Sequence, residues 1–253
     1  MNLNLKKYKD VSFFEFTSLS KFPEITHALF TRLGGFSEPP YHTLNLSFGV
    51  GDNEINVKKN RDIVLESLSA DNHISLKQVH GTEVVVIKED SPIDLIEADA
   101  MITNVSGKFL LIKIADCQAI MIYDPVCKLI ANIHSGWRGS IKNITQVTIE
   151  KMKTVFGCMP KNMFACVSPS LGPCCAEFIN YEKEIPEEFW KYKVNKYNFD
   201  FWKITLDQLC TAGLYPENIT LSKICTKCNT DLFFSYRGEK ITGRFASLIG
   251  LKK

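Results

Sequence analysis

The chain has 253 residues, of which 45% are hydrophobic and 23% are charged, with 30 basic and 28 acidic side chains. This length and composition predict a globular protein, either a single compact domain over residues 1–253, which we favour, or two lobes. The near balance of charge excludes most nucleic-acid-binding proteins, because binding the phosphate backbone needs a concentrated positive surface.

No targeting or membrane segment is predicted. The N-terminal stretch is basic but lacks a following apolar run, and no run of 18 apolar residues occurs, so we expect neither a signal peptide nor a membrane span. There are nine cysteines, and without an export signal we expect reduced thiols rather than a disulfide framework. These features predict a cytoplasmic protein, and the lack of a coiled coil or interface stripe favours a monomer.

The first predicted elements are a strand, a loop and a helix. Residues 28–50 are rich in Gly, Pro and Ser, which predicts a strand end followed by a long loop. A helix is predicted over residues 54–68, with Asp52 or Asn53 as its N-cap. Apolar runs then predict a series of strands. These strands cover residues 75–81, 82–88, 109–115, 119–125, 128–134 and 163–170.

Helices are predicted between and after the later strands. One covers residues 140–157, beginning at Ser140 and ending at Gly157. Two others cover residues 185–192 and 201–212. Residues 231–251 predict a hairpin-like segment with a final strand. Because the strands cluster and do not alternate regularly with helices, the sequence predicts an α+β fold rather than a doubly wound parallel one.

Three side chains stand where a predicted strand gives way to a loop. His80 and His134 each precede a glycine-containing turn, and Cys117 lies at the break between two apolar runs. Two imidazoles and a thiolate suit Zn²⁺, and three protein ligands leave a fourth position open for chemistry. Copper accepts the same ligands. The long separations leave a second interpretation open, in which the histidines are hydrogen-bonded strand ends and the cysteine belongs to the core.

A metal-free alternative uses the same residues. Cys117 and His134 would form a nucleophile–base pair that attacks a carbonyl. Asp116 or Asn132 would then orient the histidine, and His80 would contact the substrate.

Other motifs carry weaker predictions. Cys225 and Cys228 form a CxxC pair, but no second pair follows at zinc-ribbon spacing, so a structural role is predicted. The adjacent Cys174 and Cys175 follow Gly-Pro and predict a tight turn. Arg138 lies at a helix start, where an anion is favoured, although a surface salt bridge explains such an arginine equally well.

Nine segments together resemble the YfiH family, also called the laccase-domain or DUF152 family. They occur in family order from about residue 27 to 251, and they read TRLGGFS, LNLSFGVGDN, QVHG, ADAMITN, ADC, HSGWRG, LGPCC, LFFSYR and TGR. The resemblance implies a compact α/β/β/α sandwich related to a bacterial Cys-His toxin deamidase. It also implies a metal site of two histidines and a cysteine, which map onto His80, Cys117 and His134.

The resemblance further implies activity on purine nucleosides. Members cleave adenosine, inosine, guanosine or methylthioadenosine with phosphate, and they deaminate adenosine. On this basis we expect Asp116 to carry protons and Arg32 and Arg138 to clamp phosphate. Asn45 and Gln78 are expected to hydrogen-bond the ribose or the base.

Two other activities are associated with the family. Some members are described as polyphenol oxidases, but five histidines without a His-x-His pair are too few for a multicopper centre, so laccase activity is not expected. One branch is linked to editing of peptidoglycan precursors, and amide hydrolysis by Cys117 and His134 is therefore the alternative function. A non-catalytic binding protein is a third option.

Overall fold

The computed structural model describes residues 2–91 and 96–253. Its centre consists of two six-stranded mixed sheets. Strands and helices are numbered here in chain order. The first sheet contains β1 (Leu3–Tyr8), β2 (Val11–Phe16), β3 (Ile25–Phe30), β4 (Ile74–Ser75), β7 (Phe109–Ile114) and β12 (Phe245–Leu251).

The strand order in the first sheet is β1-β2-β3-β12-β7-β4. Every neighbouring pair is antiparallel except β4 and β7. The second sheet contains β5 (Val84–Val86), β6 (Ala100–Thr103), β8 (Gln118–Asp124), β9 (Leu129–Ser135), β10 (Phe164–Val167) and β11 (Ile219–Leu221). Its order is β11-β10-β8-β9-β6-β5, with parallel pairs only at the two edges.

Seven α-helices accompany the sheets in the described part of the chain. They are α1 (Thr17–Ser20), α2 (Glu54–Ser67), α3 (Trp137–Ile141), α4 (Ile144–Phe156), α5 (Tyr181–Glu184), α6 (Phe201–Thr211) and α7 (Tyr236–Glu239). None of these helices has the length and apolar character that crossing a membrane requires.

The two sheets pack face to face, and helices cover their outer faces. On β8, Met121 and Tyr123 point into the core shared with the first sheet, whereas Ile122 points toward the helices, as the two-residue period of a strand requires. α4 and α6 cover the second sheet, and α2 packs through Val64 on the first. The predicted α/β/β/α sandwich is therefore confirmed. The prediction of a single domain stays a prediction.

The segment predicted as one helix over residues 140–157 forms two helices. α3 and α4 are separated at Asn143, which has a φ of 57° and whose side-chain oxygen accepts a hydrogen bond from the Gln146 amide. Ser140 lies inside α3, so its predicted role as the cap is wrong. Gly157 ends α4 in the left-handed conformation, as predicted.

Two other predictions need revision. Residues 75–81 were expected to form a strand, but β4 has only two residues. The segment 231–251 was expected to begin as a hairpin, but α7 stands there before β12. After β4 the backbone amides of residues 79–81 donate to the Asp99 carboxylate instead of to a neighbouring strand. The Ser235 side chain caps the start of α7 by accepting a hydrogen bond from the Gly238 amide.

The link between β7 and β8 positions the candidate site. β7 belongs to the first sheet and β8 to the second, so the chain crosses between sheets at residues 115–117. Asp116 makes this crossing with a φ of 86°, an uncommon conformation for a residue other than glycine. Cys117 follows directly and is therefore presented at the end of the sandwich.

Candidate functional site

The three predicted ligands converge at one end of the sandwich. Cys117 follows the crossing between sheets, His134 lies on β9 opposite Ala119 of β8, and His80 follows the short strand β4. The Nε2 atom of His80 lies 3.9 Å from Sγ of Cys117. The two imidazole rings are 4.8 Å apart in an edge-to-face arrangement. One ligand atom from each residue lies within 4.8 Å of the other two, which is close enough to hold a single ion.

Asp99 fixes both histidines, and the sequence predictions gave it no role. Its fully buried carboxylate lies 2.7 Å from Nδ1 of His134, and it also accepts hydrogen bonds from the backbone amides of His80 and Gly81. A hydrogen bond at Nδ1 leaves Nε2 of His134 available as a ligand, and a carboxylate behind a ligating histidine is a common feature of zinc sites. Asp99 lies in the ADAMITN segment, directly before an apolar strand. An acidic residue at such a position was the sequence signal that could have indicated its role.

The electrostatics of the triad favour a thiolate. Burial alone would raise the pKa of the Cys117 thiol, but the charge of His134 and hydrogen bonds from both histidines lower it to about 6. Burial alone would lower the pKa of His134, but the Cys117 thiolate and the hydrogen bond to Asp99 raise it to about 9. The metal-free pair is thus thiolate and imidazolium, and the thiolate is the form that binds metals or attacks electrophiles.

Gly136 leaves open the space where the three ligands meet. A Cβ atom there would lie 2.8 Å from Cδ2 of His80 and 3.2 Å from Sγ of Cys117. The nitrogen and sulfur donors and the open cradle fit Zn²⁺ with a free fourth position. A multicopper centre does not fit, because only two histidines line this cavity in the described part of the chain, and His27 and His73 are buried elsewhere.

The triad lies in a cavity of about 1180 Å³. Its lining is strongly cationic, since Asp116 is the only carboxylate among the described lining residues. The lining cations are Arg61, Lys77, Lys113, Arg138, Arg237 and Arg244. Aromatic side chains form much of the remaining wall. They are Phe48, Trp137, Phe178, Phe201 and Tyr236. A cavity with these walls suits an anion together with a flat apolar ring.

The four predicted substrate contacts separate into two groups. Gln78 and Arg138 line the cavity. Arg138 is exposed and stacks on Trp137, with its guanidinium carbon 4.1 Å from the ring centroid. The side-chain amide of Gln78 is engaged with the backbone amide and carbonyl of Lys113, so it joins two segments of the wall.

Arg32 and Asn45 are not among the lining residues and lie buried behind the cavity. Arg32 pairs with Glu239 at 2.8 Å and donates to the Thr230 carbonyl. The Asn45 side chain accepts a hydrogen bond from the backbone amide of Arg244 at 2.8 Å. Both residues therefore support the cavity wall from behind, a position that does not favour their predicted contact with substrate.

Asp116 lines the cavity but its carboxylate is engaged. One oxygen accepts hydrogen bonds from the hydroxyls of Thr226 and Ser235, both at 2.7 Å, and the other accepts from the Arg237 amide. A carboxylate with three donors holds this loop in position, which does not favour the predicted role as a proton carrier.

Arg244 is, with Asp99, a residue to which sequence reasoning gave no role, and it lines the cavity. It interacts electrostatically with Cys117 and Asp116. Its guanidinium is held by the carbonyls of Thr242 and Gly243 at 2.8 and 2.9 Å. The signal was present in the sequence, because Arg244 ends the TGR segment, but only the fold brings it to Cys117.

Comparisons with known proteins agree with this architecture. Residues 26–252 match the family model described as multi-copper polyphenol oxidoreductase laccase. The purine nucleoside phosphorylase of Bacteroides thetaiotaomicron is 30% identical, over 97% of this chain and 98% of that protein. Purine nucleoside phosphorylase YfiH of Escherichia coli is 31% identical, over 87% and 91% of the respective chains.

Solved structures match over almost the whole length. The Bacillus licheniformis hypothetical protein YfiH superposes with a TM-score of 0.88 at 27% identity, covering 98% of this chain and 99% of that one. YlmD from Geobacillus stearothermophilus gives a TM-score of 0.87 at 25% identity, covering 100% and 99%. The chain therefore belongs to the multi-copper polyphenol oxidoreductase laccase family, and it is similar in sequence and fold to the proteins named YfiH and YlmD.

Proposed function

We propose that this chain is a purine nucleoside phosphorylase that cleaves adenosine, inosine, guanosine or methylthioadenosine with phosphate. The observation that carries the proposal is the pairing of a cationic, aromatic-walled cavity with the His80–Cys117–His134 triad at its floor. The names of the similar proteins from Bacteroides and Escherichia support the same activity.

Phosphate is expected to bind between Arg244 and Arg138. Arg244 interacts electrostatically with Cys117, and the guanidinium of Arg138 makes no hydrogen bond or ion pair with any residue in the described ranges. Guanidinium groups bind phosphate through two parallel hydrogen bonds, which fixes the orientation of the anion as well as its position. Arg244 therefore replaces Arg32 as the partner of Arg138 in the clamp.

The purine ring is expected to lie against the aromatic wall. Trp137 and Phe178 pack edge to face at 5.7 Å, so a rigid apolar surface is already formed. A cavity of about 1180 Å³ exceeds the range of about 300–1,000 Å³ usual for small-molecule sites, so a nucleoside and phosphate fit together. In the reaction, a phosphate oxygen forms a bond to C1′ of the ribose, the bond from C1′ to the base breaks, and the base leaves with a proton.

The floor of the cavity fixes the reacting groups. Zn²⁺ held by His80, Cys117 and His134 would supply a Lewis acid there. Asp99 orients His134 and, through the backbone amides, the turn that carries His80. The side chain of His134 is buried and that of Cys117 is half-buried, so the core side of the floor excludes water.

The experiment is product analysis after incubation of zinc-loaded protein with adenosine, with and without phosphate. We expect adenine and ribose 1-phosphate only when phosphate is present. Cys117→Ala should lose the activity, whereas the matched control Cys210→Ala should keep it, because Cys210 lies on α6 outside the cavity. Zinc-loaded protein that forms no free base from adenosine, nor from inosine, guanosine or methylthioadenosine assayed in the same way, would contradict the proposal.

Adenosine deamination is a second reaction that we propose for the same floor. It rests on the same triad, and it would appear as inosine formed without phosphate in the experiment above. Because Asp116 is engaged by three donors, the proton would have to pass through another group.

Amide hydrolysis remains the competing function, and one observation favours it. The contacts run from Cys117 to His134 and from His134 to Asp99, which is the arrangement of a nucleophile, a base and the carboxylate that orients the base. Asp99 holds the histidine in place of the predicted Asp116 or Asn132. Removal of metal by a chelator discriminates the two, because it should abolish phosphorolysis and leave a cysteine hydrolase active on peptidoglycan-type amides.

A further inference from the structure

Four cysteines that the proposed function does not use lie together. Cys174 and Cys175 follow a turn after β10, and Cys225 and Cys228 form the CxxC pair after β11. The sequence predicted a tight turn for the first pair and found no partner for the second. The fold supplies each pair with the other as its partner.

The sulfur positions match a single tetrahedral ion. Sγ of Cys228 lies 3.7 Å from that of Cys174 and 3.6 Å from that of Cys175, and all four sulfurs lie within 4.8 Å of one another. A zinc–sulfur bond of about 2.3 Å places tetrahedral ligands about 3.8 Å apart. A disulfide would need sulfurs at about 2.0 Å. A four-iron cluster would separate them further, because each thiolate then binds a different iron.

The backbone holds the two cysteine pairs next to each other. Ser170 and Cys225 form a parallel bridge, and the Gly172 amide donates to Sγ of Cys225 at 3.3 Å. The amide of Cys228 is a second donor to the same sulfur. Amide donors to sulfur are the usual support of a metal-bound thiolate. A Cβ on Gly172 would lie 3.0 Å from Cβ of Cys225, so the close approach requires glycine.

We propose that Cys174, Cys175, Cys225 and Cys228 form a second metal site, the four-cysteine site, that binds Zn²⁺ through four thiolates. Four protein ligands leave no open position, so this zinc is structural. It joins the loop of residues 170–176 to the segment 225–237, and both line the cavity. The four-cysteine site shares no ligand with the triad.

The test measures zinc rather than activity. The double variant His80→Ala/Cys117→Ala lacks two of the three triad ligands, so zinc retained after dialysis against a weak chelator reports on the four-cysteine site. We expect one equivalent of zinc per chain by mass spectrometry. Adding Cys228→Ser should remove it and lower the Tm, whereas adding Cys210→Ser should do neither.

A second measurement needs no change in the four-cysteine site and covers the case in which Cys228→Ser fails to fold. X-ray absorption at the zinc edge of the double variant should show four sulfur neighbours at about 2.3 Å. Nitrogen or oxygen neighbours would overturn the proposal. So would a folded double variant that holds no zinc, whether its four cysteines are free thiols or disulfides.

Discussion

Gly136→Ala should remove metal from the triad without changing a ligand. Gly136 has φ −74° and ψ 169°, an ordinary conformation that alanine adopts without strain. The added Cβ would lie 2.8 Å from Cδ2 of His80, whereas carbon atoms pack at about 3.5–4.0 Å, so the ring must move by about 0.7 Å or more. Metal–ligand distances tolerate only about 0.2 Å, so His80 would leave the site.

The expected loss is in metal affinity rather than in folding. His80 is exposed and can rotate outward, so the free energy of unfolding should change by less than about 1 kcal/mol. Disturbing the support of a ligand costs about 10–100-fold in metal affinity, and loss of the ligand itself should reach at least that. Competition with a chromophoric chelator, on protein whose four-cysteine site is already filled with zinc, measures the affinity of the triad, and urea denaturation of metal-free protein measures the stability.

Gly49→Ala is the matched control. Gly49 also lines the cavity, its φ is −85°, and a Cβ there meets nothing within 4 Å. It should bind zinc like the wild type. If folded Gly136→Ala also bound zinc with unchanged affinity, the ligands would not converge at Gly136 and the assignment of the triad would be refuted.

The remaining predictions concern single side chains. Asp99→Asn should weaken zinc binding about 10–100-fold, measured by the same competition, because the neutral amide orients His134 less well. Arg244→Lys should raise the KM for phosphate about tenfold in steady-state kinetics and spare the KM for nucleoside, because lysine cannot bind phosphate bidentately. Burial lowers the pKa of His27 from 6.5 to about 4. As the pH falls, His27 therefore takes up a proton in the unfolded chain before it does so in the folded chain. His27 alone should then contribute a fall in stability of about 3 kcal/mol as the pH drops from 6.5 to 4, and His27→Gln should make the slope shallower by that amount in urea titrations, with the contribution of the similarly buried His73 remaining. Asp116→Asn should lower stability by about 1–3 kcal/mol and leave the shape of the pH–rate profile intact; loss of one limb at unchanged Tm would instead identify Asp116 as a proton carrier.

The sequence predicted the helices and strands wherever a periodic apolar face specifies them. The helix over residues 54–68 is α2 to within one residue, and Asn53 caps it. Prediction failed where a single residue overrides the period. Asn143 adopts the left-handed conformation and splits one predicted helix into two, and neither composition nor periodicity reports such a conformation.

The candidate site was predictable only in its ligands. His80, Cys117 and His134 could be found because each is a metal-binding type of residue where an apolar run gives way to a loop, and because the QVHG, ADC and HSGWRG segments resemble the family's motifs. Asp99 could not, because its role depends on β6 lying beside β9, a pairing between strands that are not consecutive. The same holds for the four-cysteine site, since its two pairs meet only through the bridge between Ser170 and Cys225. The spacing of these residues along the chain predicts neither the role of Asp99 nor the meeting of the two cysteine pairs.

Asp116 connects the triad to the four-cysteine site. This connection explains why an acidic residue stands beside the Cys117 thiolate. It directly precedes Cys117, and it accepts a hydrogen bond from Thr226, which lies between Cys225 and Cys228. The φ of 86° at Asp116 turns its carboxylate toward that loop and Cys117 toward the cavity. Displacement of the four-cysteine site would therefore be transmitted to the floor through one residue. Zinc binding at the four-cysteine site should accordingly increase affinity at the triad, since a positioned Cys117 no longer loses conformational freedom when it ligates.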